Sequence, residues 1–257
     1  MEQFMGSLKM ITNGNVLLYI LKGAGFTIGI AFFAVVLGIV IGTVLALARN
    51  YCTKGPLNIF RYISIAYIEI FRNTPLMLWI FIGLVFFPSI EFPVKFAKFF
   101  GLSRTELAVL FKAIIALVLF TSSVIAEIVR GGLNSIAKGQ FEAAYSQGFN
   151  FIQTLRLIIL PQTFRNIVPT LLSQVITTIK DTSYIANIAI VELMGRTFQL
   201  IQNSKVYTGM STQNVSDVFV LCGFACIIYF AINFTLSCIV RHMQKPKKRR
   251  VQVAAAN

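Results

Sequence analysis

Arg72 and Asp181 are the two residues whose type and setting most invite chemistry, because each is an ionisable group placed within or at the end of an apolar run. A charge inside a membrane-length apolar segment costs about 3 kcal/mol on insertion scales, and such a residue faces a pathway or a partner. A guanidinium suits an anionic oxygen pair, and a carboxylate suits a cationic group. Thr74, Ser122, Ser123 and Thr182 are the neutral hydroxyl donors nearest to hand. Two further pairs, Glu69 with Arg72 and Glu127 with Arg130, have the i,i+3 spacing of an ion pair along one helix. That structural role is the expectation for Glu127 and Arg130, whereas Arg72 and Asp181 are expected to line a path.

A second constellation carries no charge chemistry but has a clear shape. Residues Gln140-Phe141-Glu142-Ala143-Ala144-Tyr145-Ser146-Gln147-Gly148 are followed by a run ending Ile158-Ile159-Leu160-Pro161. Alanines favour helix, Gly148 permits a positive φ, and proline suits the first turn of a helix. The pattern predicts helix, tight turn, helix and a proline stop. Phe141, Ala144 and Tyr145, with Phe149 and Phe151 beyond the turn, make a face too aromatic to be left in water. A groove on a partner would satisfy it, and so would the underside of the chain's own bundle.

The elements that position these residues follow from composition. Of 257 residues 56% are hydrophobic and 12% charged, far too apolar for an ordinary soluble domain. A hydrocarbon core about 30 Å thick takes roughly 20 helical residues to cross. Apolar runs at about 26–48, 57–87, 106–131, 161–179 and 215–240 therefore predict an all-α membrane protein of about five transmembrane helices. The second run is broken or tilted, with Pro75 as the break point. Lys95, Phe96, Lys98, Phe99 and Phe100 suit an interfacial helix, and residues 184–211 are mixed enough to be re-entrant. Residues 1–24 are expected to form a peripheral amphipathic segment, 25–243 one transmembrane domain, and 244–257 a basic tail.

Net charge is +14, but the basic residues flank apolar runs rather than gathering on a soluble face, which argues for topology signals and against a nucleic-acid partner. Arg49, Lys54, Arg61, Arg130, Lys138, Arg156, Arg165 and Arg241 fall on one side of a five-span arrangement, predicting the N-terminus out and the C-terminus in. The tail cluster of Lys245, Lys247, Lys248, Arg249 and Arg250 reads as an anchor near anionic lipid. Four cysteines without a framework and a single histidine predict neither disulfides nor a metal site. No phosphate-cradling loop of the Gly-x-x-x-x-Gly-Lys-Ser/Thr kind occurs, so the chain is not expected to hydrolyse ATP itself. A channel and a membrane enzyme find no support in filter-like segments, metal-ligand spacing or a nucleophile elbow.

The stretch from Glu142-Ala143-Ala144 through Gly148 to Leu160-Pro161 resembles the cytoplasmic signature of binding-protein-dependent ABC importer permeases. Around it, Glu69 to Pro75, Ile125 to Gly132 and Ile179 to Ser183 are similar to the polar amino acid permeases. One position departs: Val124 stands where that family often has tyrosine. The resemblance implies a coupling-helix hairpin between spans three and four, residues 138–160, with Glu142, Ala143, Ala144 and Gly148 transmitting the closure of an ATPase subunit. It also implies a bacterial inner-membrane location and no cofactor in this chain, ATP–Mg being held by the ATPase. A second permease copy or a similar subunit and an extracytoplasmic binding protein would complete the assembly. The transported molecule would be a polar amino acid, its carboxylate on Arg72 and its ammonium on Asp181, although in a paired permease one subunit can be silent. An ion-gradient-driven amino acid transporter is the alternative, but no internal repeat supports it.

Overall fold

The computed structural model describes residues 2–189, 191–208 and 214–244; the basic tail and part of the 184–211 region lie outside them. Among the described residues the chain is helical and contains no strand, as its composition predicts. Chain order runs α1 (Glu2–Thr12), α2 (Gly14–Tyr51), α3 (Asn58–Arg72), α4 (Leu76–Phe86), α5 (Val94–Phe99) and α6 (Arg104–Asn134). It continues through α7 (Lys138–Ser146), α8 (Phe151–Thr154), α9 (Leu160–Asp181), α10 (Leu193–Gln202), α11 (Ser204–Thr208) and α12 (Val215–Gln244).

Three of these, α2, α6 and α12, are long and apolar enough to cross a membrane, and α3 with α4 makes a fourth if the bent pair counts as one span. The expected fourth run, α9, carries Arg165, Lys180 and Asp181 among many amides and hydroxyls, which lowers its apolar character. The first span begins earlier than expected. Asn13 caps α2 by accepting from the Asn15 backbone N–H, and the helix then runs 38 residues, about 57 Å at the α-helical rise. Residues 14–24 are thus part of this rod, and only α1 is a separate N-terminal piece. Even α1 is tied in: Ser7 Oγ donates to Asp217 Oδ1 at 2.6 Å, and Met10 is buried.

Pro75 breaks the second run as predicted, and α3 meets α4 at 109°. Pro75 has no N–H to donate and disfavours helical backbone at Thr74, so a break in the rod is favoured there. Pro161 behaves differently from its expected role as a stop. Backbone angles stay right-handed helical through Thr154, Leu155, Ile159 and Leu160, with a widened π turn over Leu155–Ile159. That wide turn sits where the proline ring would otherwise crowd the carbonyl four residues back.

Helices α2 and α6 form the centre of the bundle. They approach so closely at Gly42 that a Cβ there would stand 2.8 Å from the Ser122 carbonyl oxygen and 2.9 Å from the Ala126 nitrogen. Small residues are what allow such contacts between membrane helices. Below that crossing, Val35, Ala46, Ile125, Val129, Ile159, Ile167 and Leu171 make one apolar core joining α2, α6 and α9. Another cluster packs α4 and α6 around Leu76, Ile80, Ala113 and Leu117. Outward-facing Phe32, Val40, Val44, Ile227, Phe230 and Phe234 remain exposed, as a lipid-facing surface requires.

Candidate functional site: a helical hairpin, an arginine cluster and an acidic turn

At one end of the bundle, α7 turns back through Gly148 into α8. Gly148 has φ +84°, its N–H donates to the Tyr145 carbonyl, and the Phe149 N–H reaches the Ala144 carbonyl. Those two bonds form a Schellman cap, the standard glycine-dependent helix ending. Asn150 then starts α8 with a reciprocal capping box to Gln153. Glu142, Ala143 and Gly148 are exposed, whereas Ala144 is buried at 2%. Three of the four expected coupling residues therefore lie on the free surface, and the fourth packs inward. The aromatic face is divided as well. Phe141 and Phe151 pack on Tyr51 at the end of α2, with ring centroids 6.4 Å and 5.3 Å away, and Tyr145 stays 48% exposed.

Close to the same end lies a cluster of five charges. Glu127 on α6 accepts from Arg130 of its own helix at 2.8 Å and from Arg49 of α2 at 2.5 Å. Arg72, the last residue of α3, stands 3.8 Å from the same carboxylate. The i,i+3 pair of Glu127 and Arg130 is present as expected. That of Glu69 and Arg72 is not: Glu69 turns to Arg49 at 3.5 Å and to the Asn73 amide at 3.1 Å. Arg49, expected only as the polar end of a span, is thus a central member of the cluster.

The expected hydroxyl donors face their own walls. Thr74 donates to the Ile70 carbonyl and accepts from the Trp79 indole; Ser122, Ser123 and Thr182 are fully buried, each bonded to a carbonyl three residues back. Ser122 also meets the Tyr67 hydroxyl at 2.8 Å, which fastens α3 to α6. Asp181 ends α9 half-buried, and among the described residues its carboxylate makes no hydrogen bond or ion pair. Beside this turn an open cavity of about 460 Å³ is lined by Lys180, Ser183, Asn187, Met194, Phe198 and Tyr229, among others. Arg72 and Asp181 are not in contact with each other.

Two buried ionic features have no counterpart in the sequence-based expectations. Glu192 is fully buried, caps α10 through the Met194 and Gly195 N–H groups, and accepts from Tyr229 of α12 and Thr27 of α2. Lys112, 9% exposed in the third turn of α6, donates to the Leu84 carbonyl in the last turn of α4. A cation at that helix end complements its dipole. A lone lysine within an otherwise uncharged run is the visible signal for Lys112; the burial of Glu192 has none, because Thr27 and Tyr229, which close over it, lie far away in sequence.

Residues 34–250 match the family described as binding-protein-dependent transport system inner membrane component. The chain belongs to this family. It is a permease, a membrane transport component and not an enzyme. Among its relatives, the probable glutamine ABC transporter permease protein GlnP of Bacillus subtilis is 34% identical over 228 residues, covering 89% of this chain and 93% of that one. The glutamate/aspartate import permease protein GltK of Escherichia coli O6:H1 is 32% identical over 230 residues, covering 88% and 92%. The permease fold is also that of an amino acid ABC transporter crystallised with histidines, at TM-score 0.69 and 23% identity, covering 91% and 95% of the two chains. Its inner-membrane, multi-pass character follows from the family and from the spans described above.

Proposed function

We propose that this permease carries a polar amino acid across the bacterial inner membrane, with its N-terminus outside, its C-terminus in the cytoplasm and an ATPase docked on α7. The observation that carries this proposal is the α7–Gly148–α8 hairpin, with Glu142 and Ala143 facing outward and Phe141 and Phe151 braced against Tyr51. A rigid, exposed lever of this kind can transmit a push to the bundle, and a loose loop cannot. Orientation is supported by the basic residues: Arg49, Arg130, Lys138, Arg156 and Arg241 all belong to helix ends or loops at the hairpin side. The relatives' substrates, glutamine and glutamate or aspartate, support an amino acid cargo.

In this mechanism two permease subunits, two copies of this chain or this chain with a similar one, enclose the path. An extracytoplasmic binding protein delivers the amino acid; ATP–Mg is bound and hydrolysed in the partner ATPase subunits. Closure of those subunits moves the hairpins and switches the bundle between inward-open and outward-open states. Arg72, 41% exposed on its side chain, takes the substrate carboxylate towards the hairpin end of the path, and Asp181, at the other end of the 22-residue α9, takes the ammonium at a separate station along it. With their hydroxyl protons donated to backbone carbonyls, and Ser122, Ser123 and Thr182 fully buried, Thr74, Ser122, Ser123 and Thr182 support the path from behind its surface. Equilibrium binding of labelled glutamine, glutamate, arginine, histidine and cystine to the purified permease–ATPase complex tests the assignment. Arg72→Gln and Asp181→Asn should each weaken binding about tenfold or more, one charge-assisted contact being about 1.5–3 kcal/mol. Unchanged binding in both variants contradicts it.

A further inference from the structure

The charges around Glu127 do not cancel. Arg49, Arg72 and Arg130 face Glu69 and Glu127, leaving one cation in excess. The three guanidiniums are also held unequally. Arg130 grips Glu127 through Nε and Nη2 at 2.8–3.1 Å, and Arg49 reaches it from α2 at 2.5 Å. Arg72 is the outlier, at 3.8 Å and 41% exposed, against 16% for Glu127. Its place in the chain adds to this freedom. As the last residue of α3, next to the 109° bend into α4, it can swing without disturbing a helix interior.

An arriving carboxylate therefore meets an arginine that already has a loose partner. We infer that Glu127 is a positioning residue that competes with the transported carboxylate for Arg72, holding the guanidinium between substrates and reclaiming it on release. Arg130 and Arg49 keep the Glu127 carboxylate fixed, so it cannot follow Arg72 away. With a substrate carboxylate bound, three cations face three anions and the cluster is neutral; once it leaves, Glu127 draws Arg72 back. The inference rests on the assignment of Arg72 as the carboxylate pole. Its consequence has a definite sign. Glu127 weakens resting affinity and speeds release, so removing its charge tightens binding and slows turnover. A purely structural Glu127 does the opposite, because losing a cluster member loosens α2, α3 and α6 and weakens binding.

The test uses the purified permease–ATPase complex and whichever of glutamine, glutamate, arginine, histidine or cystine the wild type binds most tightly. Equilibrium binding in detergent and ATP-driven uptake in proteoliposomes are measured for Glu127→Gln, Glu127→Asp, Arg72→Gln and the Arg72→Gln/Glu127→Gln double variant. Glu127→Gln should bind about tenfold more tightly with a comparable fall in turnover, within the usual range of coupling between neighbouring sites. Glu127→Asp keeps the charge but shortens the reach towards Arg72, and should shift both quantities the same way by less. In the Arg72→Gln background the Glu127→Gln change should have no effect on binding. If Arg72→Gln abolishes binding while both Glu127 variants weaken it or leave it alone, the inference is overturned and the Arg72 assignment stands. Should the glutamine variant fail to assemble, the aspartate variant decides by the same sign. Binding untouched by Arg72→Gln, or no binding of any of the five amino acids, overturns the assignment of Arg72 and the inference with it.

Discussion

The Tyr51 ring meets the Phe151 ring edge-on, with centroids 5.3 Å apart, so the last residue of the first span touches the second arm of the hairpin directly. Phe141 on the first arm lies against the same ring at 6.4 Å. Two aromatic contacts, each about 0.5–1.5 kcal/mol beyond its buried area, therefore join the hairpin to α2, and under the proposed mechanism they are the route by which its motion reaches that helix. Tyr51→Ala should leave the ATPase bound but reduce substrate moved per ATP hydrolysed severalfold. Parallel uptake and phosphate-release assays in proteoliposomes check this; an unchanged ratio means that α2 is not the receiving element.

Gly148 is the one position in the hairpin where a side chain is opposed by the backbone, with φ at +84°. A left-handed residue with a Cβ costs about 1–2 kcal/mol, more when β-branched, while asparagine is tolerated best. Gly148→Val should therefore sharply reduce recovery of the ATPase with the permease, and Gly148→Asn should retain most of it. Co-purification from membranes gives the comparison.

At Gly42 a methyl group would press on backbone atoms of α6, which cannot step aside as a side chain does. Overpacking of this kind costs about 1–3 kcal/mol, and more for larger groups. Thermal unfolding of the purified complex should show a lower midpoint for Gly42→Ala, and Gly42→Leu should not yield a folded complex.

Glu192 gathers two backbone N–H groups, the Tyr229 hydroxyl and the Thr27 hydroxyl in a site fully closed to solvent. Glu192→Ala strands these donors and removes the cap of α10, a loss of about 3 kcal/mol. Glu192→Gln retains an acceptor oxygen and should lose roughly a third of that. The order wild type, Gln, Ala in unfolding temperature is the expected outcome; an Ala variant as stable as Gln would show that the carboxylate is not what holds α10 to α2 and α12.

What the sequence discloses here is what depends on near neighbours. The apolar runs of α2, α6 and α12 declare themselves by length, Pro75 by its chemistry, and the Glu142 to Gly148 hairpin by a spacing of alanine and glycine that acts within one turn. Features set by distant partners are not legible. The i,i+3 spacing offers Arg72 only Glu69 as an ion partner, yet packing of α3 on α6 brings it to Glu127 instead. Likewise Ala144 belongs to the hairpin signature, but its inward direction emerges only once α7 lies on the turn before α9. Pro161 reads as a stop because proline usually is one; the π turn before it makes continuation possible. The hydroxyls of Ser122 and Ser123 suggest donors for a ligand, and helix geometry turns both onto their own carbonyls.

Uptake by proteoliposomes containing this permease with its ATPase, supplied with binding protein and a labelled polar amino acid, tests the central claim most directly. Internal or external ATP is provided according to orientation, with and without an imposed ion gradient. The account predicts accumulation that requires both ATP and binding protein, ignores the gradient, and disappears in Gly148→Val. Accumulation driven by the gradient in the absence of ATP and of any ATPase subunit would contradict it.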